Sequence, residues 1–161
     1  MHKYLIALGS NIRHQNFGAP TQVVRTAAHD LEALGSVLAA SKAIDSAPIG
    51  PSIRTYANSV LVLETLLEPK PLLAALKRIE ARFGVRRGQR WSSRVLDLDI
   101  VLWSGDIFAD SELQIPHPEF RNRPFVLGPA SKIAADWRDP ITGLAIKHLN
   151  ARLTKPHTIP R

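Results

Sequence analysis

Two stretches of helical spacing, each opened by proline and closed by glycine and set between strand-like runs, constrain the fold of this chain most. Pro20 begins a stretch that ends at Gly35, with Val23, Val24, Ala27, Leu31 and Leu34 recurring on one side. Pro69 and Pro71 open a second through Phe83, where Leu72, Leu76, Ile79 and Phe83 make the apolar stripe and Gly84 closes it. Four runs around them read as strands: residues 3–8, closed by the turn-forming Gly9-Ser10-Asn11, then 37–44, 56–65 and 95–102. Pro48, Gly50 and Pro51 make residues 45–55 a loop.

The order β-α-β-β-α-β predicts an α+β fold of the ferredoxin-like kind, a mostly antiparallel sheet with helices packed on it. Ser104-Gly105-Asp106 predicts a hairpin turn into a short strand at 107–108. From Pro116 onward prolines are frequent. We expect a C-terminal extension there, with a short helix after Pro129 and another near 147–153, packed on the same core. A chain of 161 residues suits one domain over 1–161 and is short for two.

The run 95–102 is apolar except for Asp97 and Asp99. Strand alternation puts Leu96, Leu98, Ile100 and Leu102 on one face and both aspartates on the other, with their backbones roughly 7 Å apart. Aspartate is a poor strand former, so the pair asks for a function. Magnesium supplies one: it takes one or two protein carboxylates and fills its shell with water and phosphate. A solvent-facing pair with no role is the alternative. The net charge of +7 points to an anionic partner: nucleic acid, a phosphorylated small molecule or a membrane surface. Arg82, Arg86, Arg87, Arg90 and Arg94 crowd directly before the aspartates. With no cysteine, disulfides, thiolate metal sites and cysteine nucleophiles are excluded. The apolar stretch at the amino terminus is too short for a signal-peptide core or a membrane span, so the cytoplasm is the expected compartment.

Several segments then point together. Leu8-Gly9-Ser10-Asn11 follows the first strand, Tyr56-Ala57-Asn58 opens the third, and Arg94-x-x-Asp97-x-Asp99 leads into the fourth. Pro116-His117-Pro118 and Asn122-Arg123-Pro124-Phe125 come after it. In this order and at these separations the chain resembles the 6-hydroxymethyl-7,8-dihydropterin pyrophosphokinases of folate biosynthesis, from Tyr4 to about Leu153. The resemblance implies magnesium-dependent transfer of the β,γ-pyrophosphate of ATP to the pterin hydroxymethyl group, with release of AMP. It makes Asp97 and Asp99 the ligands of two magnesium ions, with Asp97 also close to the attacking hydroxyl. It makes Arg94 a phosphate contact and a catalytic residue together with Arg86 and Arg87. Tyr56 and Phe125 become the aromatics that stack on the pterin, and Asn58 the amide at its edge. Ser46, Pro48 and Ile49 lend backbone groups and an apolar wall to the same pocket. Glu80, Arg90, Ile100, His117 and Arg123 fall on the nucleotide side, and Arg90 and Trp91 in a loop that closes over the substrates, Trp91 toward the pterin. The partners implied are ATP and the pterin, with no nucleic acid or membrane, and a monomer is expected. Ser92 departs from the small glycine or alanine usual in the family, and Pro118 from a tyrosine found in some members.

Two other classes compete. A relative that keeps the pocket and has lost chemistry would bind both substrates without turnover. An RNA-binding module on the same scaffold would account for the charge. It would need paired aromatics in a basic strand motif, which the sequence lacks, and aspartates on the open sheet face would repel phosphate unless a metal intervenes.

Overall fold

A computed structural model describes residues 1–10, 18–46, 56–84 and 95–156. Pro20 does open a helix, α1 (Pro20–Leu31), which tightens into a 3-10 turn before Gly35. The second helix, α2 (Pro69–Phe83), has the expected bounds. The sheet holds β1 (His2–Ser10), β2 (Ser36–Ala40), β3 (Ile44–Ser46), β4 (Tyr56–Thr65) and β5 (Asp97–Trp103), in the order β2-β4-β1-β5 with β3 also on β4. Every pairing in it is antiparallel. This is the ferredoxin-like arrangement predicted from the order of elements.

The sheet is apolar on both faces. Tyr4, Ile6 and Leu8 of β1 join Leu61 and Leu63 of β4 under the stripes of α1 and α2. The residues between them, Leu5 of β1 with Val60 and Val62 of β4, meet a second core built by α3 (Pro124–Ile133) and α4 (Ile146–Thr154). The C-terminal helices therefore cover the opposite face and do not join the first core as expected. Pro124, not Pro129, opens α3, because its fixed φ suits the first helical position. Pro129 is buried inside the helix, where it has no N–H to give the Phe125 carbonyl.

Three further departures have local causes. The expected strand 37–44 is split into β2 and β3, since the Ser41 hydroxyl takes the place of a ladder carbonyl and accepts the Val60 N–H at 2.9 Å. The register of β5 against β1 slips between Leu5↔Leu102 and Ile6↔Ile100. The extra residue is Val101, so Leu102 turns with it into the second core and leaves the face of Leu98 and Ile100. Finally, the short strand after Asp106 is β6 (Phe108–Ala109), and it pairs with β7 (Gln114–Ile115).

Candidate active site

Strand alternation carries Tyr56 and Asn58 on the side of β4 that continues to Val60 and Val62. On β5 the same rule turns Asp97 and Asp99 away from Leu98 and Ile100 and toward that side. β1 lies between these strands, with Gly9 opposite both Asn58 and Asp97, and Ala7 opposite Asp99. Gly9 belongs to the strand and not to a turn. A Cβ there would stand 3.2 Å from Asn58 Oδ1, so the glycine leaves room for the largely buried amide. Past the end of the second core, this face opens into a cavity of about 540 Å³.

Tyr56, Asn58, Asp97 and Asp99 form its floor, and Arg123, Phe125 and Val126 from the start of α3 form its wall. The Arg123 guanidinium lies 3.8 Å from Asp99 Oδ2 and 5.8 Å from the centre of the Phe125 ring. A second cavity of about 350 Å³ adjoins on the far side of β5, lined by Ile100, His117, Pro118 and the β6–β7 loop. Asp99 lines both cavities. The imidazole of His117 is pushed below its ordinary pKa by burial; Asp99 and Glu119 oppose the shift and Arg123 adds to it. A neutral ring is thereby favoured at pH 7.

Of the residues singled out in the sequence, Tyr56, Asn58, Asp97, Asp99, Arg123 and Phe125 share the first cavity, and Ile100 and His117 share the second with Asp99. Glu80 stands apart. It is 7% exposed, and its Oε2 accepts the N–H of Leu98 at 2.8 Å. It thus fixes the backbone between the two aspartates. Ser46 ends β3. Pro48, Ile49, Arg86, Arg87, Arg90, Trp91 and Arg94 lie outside the described residues. Sequence reasoning missed Glu119 on the first cavity and Asp110 and Glu112 on the second. Asp110 Oδ1 caps the N–H groups of Glu112 and Leu113 at 2.8 Å, and Lys70 Nζ meets its other oxygen at 2.8 Å. The turn-forming Asp110 was the available signal.

The donor set suits magnesium. Asp97 and Asp99 open side by side on the first cavity, with Glu119 also on its lining, and among the described residues no group of three or more His, Cys, Asp or Glu could hold a metal by itself. An ion there needs oxygens from phosphate and water, which is how magnesium is usually held.

Fold and site together define a class: an α+β domain whose edge strand delivers two carboxylates to a cavity walled by aromatics. Within that class the chain belongs to the 7,8-dihydro-6-hydroxymethylpterin-pyrophosphokinase (HPPK) family, whose model matches residues 5–135. It is a family of enzymes. A 2-amino-4-hydroxy-6-hydroxymethyldihydropteridine pyrophosphokinase of Haemophilus influenzae is 38% identical over 134 residues, 81% of each chain. Its counterpart in Synechocystis sp. is 40% identical over 104 residues, 65% of this chain and 53% of that protein. Wild-type HPPK-DHPS of Plasmodium falciparum, solved with SDX-DHP, superposes with a TM-score of 0.72 at 14% identity. That match covers 94% of this chain and 44% of the other, and it speaks for the fold. Among the described residues no helix is long and apolar enough to cross a membrane.

Proposed function

We propose that this chain transfers the β,γ-pyrophosphate of ATP to the hydroxymethyl group of 6-hydroxymethyl-7,8-dihydropterin in a magnesium-dependent reaction, as a cytoplasmic enzyme of folate biosynthesis. The observation that carries the proposal is Asp99 standing on two adjoining cavities, one lined by Tyr56, Asn58 and Phe125 and the other by His117. An acceptor in the first and a donor in the second would meet at that carboxylate.

In this reading the pterin lies between Tyr56 and Phe125, each aromatic contact contributing on the order of 1 kcal/mol beyond burial. Asn58 offers one acceptor and two donors to its edge. The pocket wall is completed by Ser46, Pro48, Ile49 and Trp91. On the donor side, Ile100 packs against the nucleotide and His117 and Arg90 meet the phosphates, with Glu80 close behind β5, while Arg123 reaches the phosphates from the first cavity beside Asp99. Arg94 would hold phosphate oxygens by the two-pronged contact that suits a guanidinium, and Arg86 and Arg87 would supply the catalytic arginine of the loop before it. Two magnesium ions held by Asp97 and Asp99 would neutralise the charge on the phosphates. The hydroxymethyl oxygen attacks the β-phosphorus, the bond from that phosphorus to the α,β-bridging oxygen breaks, and AMP departs. Asp97 lies on the acceptor side, where it orients the hydroxyl, whose proton passes to solvent as the new bond to phosphorus forms. Positioning and charge neutralisation dominate such transfers.

The test is AMP release from purified protein given ATP, magnesium and the pterin, with each omitted in turn. Asp97→Ala and Asp99→Ala should each abolish it in folded protein. Full activity in both variants would remove the metal assignment, and ADP in place of AMP would make the protein a simple kinase.

A further inference from the structure

A single turn carries groups of both cavities. His117, which lines the second, and Asn122, Arg123 and Phe125, which line the first, lie within nine residues of one another around the 3-10 turn Phe120–Asn122. Two of the turn's own hydrogen bonds are long, Phe120 N–H to the His117 carbonyl at 3.4 Å and Arg123 N–H to the Phe120 carbonyl at 3.3 Å, and a third, Asn122 N–H to the Glu119 carbonyl, is 3.1 Å. Such a turn needs anchoring from outside. At its start, His117 N–H bonds the Val101 carbonyl of β5 at 3.0 Å. In the middle, Phe120 is buried in the second core.

The remaining anchor is ionic. Asp139, with 0% of its surface exposed, accepts Arg121 Nε at 2.6 Å and Nη2 at 2.8 Å, one prong on each carboxylate oxygen. Its oxygens also accept the Thr142 hydroxyl at 2.7 Å and the Ile141 N–H at 3.1 Å. The Asp139 main chain closes the same loop, its N–H on the Leu144 carbonyl and its carbonyl under the Gly143 N–H. The carboxylate is thus held rigidly by its own segment before Arg121 reaches it. Arg121 lines neither cavity and also packs over the Phe120 ring, 4.7 Å from its centre.

We propose that Arg121 and Asp139 are positioning residues for the transfer, a clamp by which the C-terminal extension sets His117 on one side of β5 relative to Arg123 and Phe125 on the other. The inference rests on the proposed function. It gives the segment 134–146 a task in the chemistry, since a turn that slid by an ångström would misalign donor and acceptor groups together. A lysine in place of Arg121 would keep the charge and lose the fork.

Arg121→Ala, Arg121→Lys and Asp139→Asn would be compared with the unmodified chain for kcat, KM for ATP, KM for the pterin and thermal midpoint. Amide exchange over residues 117–126 would be followed in the same four proteins. The clamp predicts that kcat/KM falls at least tenfold in folded Arg121→Ala, that Arg121→Lys recovers part of it, and that exchange over 117–126 quickens in step. A lower midpoint with kcat and both KM values within twofold would reduce the pair to a fold-stabilising contact and overturn the proposal. If the unmodified chain releases no AMP, the functional reading has failed. The pair's positioning role in the transfer then fails with it, and unchanged exchange in Arg121→Lys would show that the pair does not hold the turn either.

Discussion

Replacing Glu80 should show how the edge strand that bears the two aspartates is kept in place. Leu98, between Asp97 and Asp99, directs its N–H outward to Glu80 Oε2 at 2.8 Å in a buried setting. Glu80→Gln retains an oxygen that can accept this N–H, so toward Leu98 it loses the extra strength of a carboxylate acceptor, about 1 kcal/mol. Glu80→Ala leaves the N–H with no acceptor from this side chain, at about 1–3 kcal/mol, and removes roughly one further buried methylene at about 0.8 kcal/mol. Alanine should therefore destabilise by about 2–4 kcal/mol and glutamine by about 1. Urea denaturation gives both values, and the Leu98 amide should exchange faster in the alanine variant. Because the N–H belongs to the backbone between the carboxylates, AMP release should follow the same order, with Glu80→Ala the slower. Equal midpoints and equal Leu98 exchange in the two variants would refute the reasoning.

Two other perturbations separate packing from charge. Gly35→Ala drives a Cβ into the Glu64 carbonyl oxygen, a backbone atom of β4, and should destabilise by about 1–3 kcal/mol or more; an unchanged thermal midpoint would contradict this. Burial alone would raise the pKa of Asp139, but hydrogen bonds from Arg121, Thr142 and Ile141 prevail and hold it at about 2, below the ordinary 3.8. A depressed carboxylate stabilises above its unfolded pKa and loses that contribution as pH falls through the folded one. The advantage of the unmodified chain over Asp139→Asn should thus be about 2–3 kcal/mol near neutrality and shrink from about pH 4 toward 2. A gap that stayed constant on acidification would show that the carboxylate does not titrate as argued.

What the sequence makes legible here is whatever repeats with a period. Helical stripes after Pro20 and Pro69, and alternation through 56–65 and 95–100, are local regularities. They placed α1, α2 and β4 and predicted that Asp97 and Asp99 share a face. The slip at Val101 breaks the period and was invisible, because Val101, Leu102 and Trp103 are all apolar and nothing in their order marks the extra residue. Pro129 misled for a related reason: proline signals a helix start and is also tolerated inside one, and only the packing of α3 against the second core decides between them. The site divides along the same line. Its floor was legible, since Tyr56, Asn58, Asp97 and Asp99 follow from strand period and the family pattern. Its supports were not. Glu80 and Leu98 are 18 positions apart, as are Arg121 and Asp139, and each pair joins groups from different elements. A glutamate on a helix and an arginine in a turn are ordinary surface residues until the fold buries their partners. The residues proposed to touch the substrates are the ones the family pattern marks. Those that hold them in place are set by how this particular chain packs its edge strand and its C-terminal extension, so the two clamps around β5 emerge from the tertiary structure.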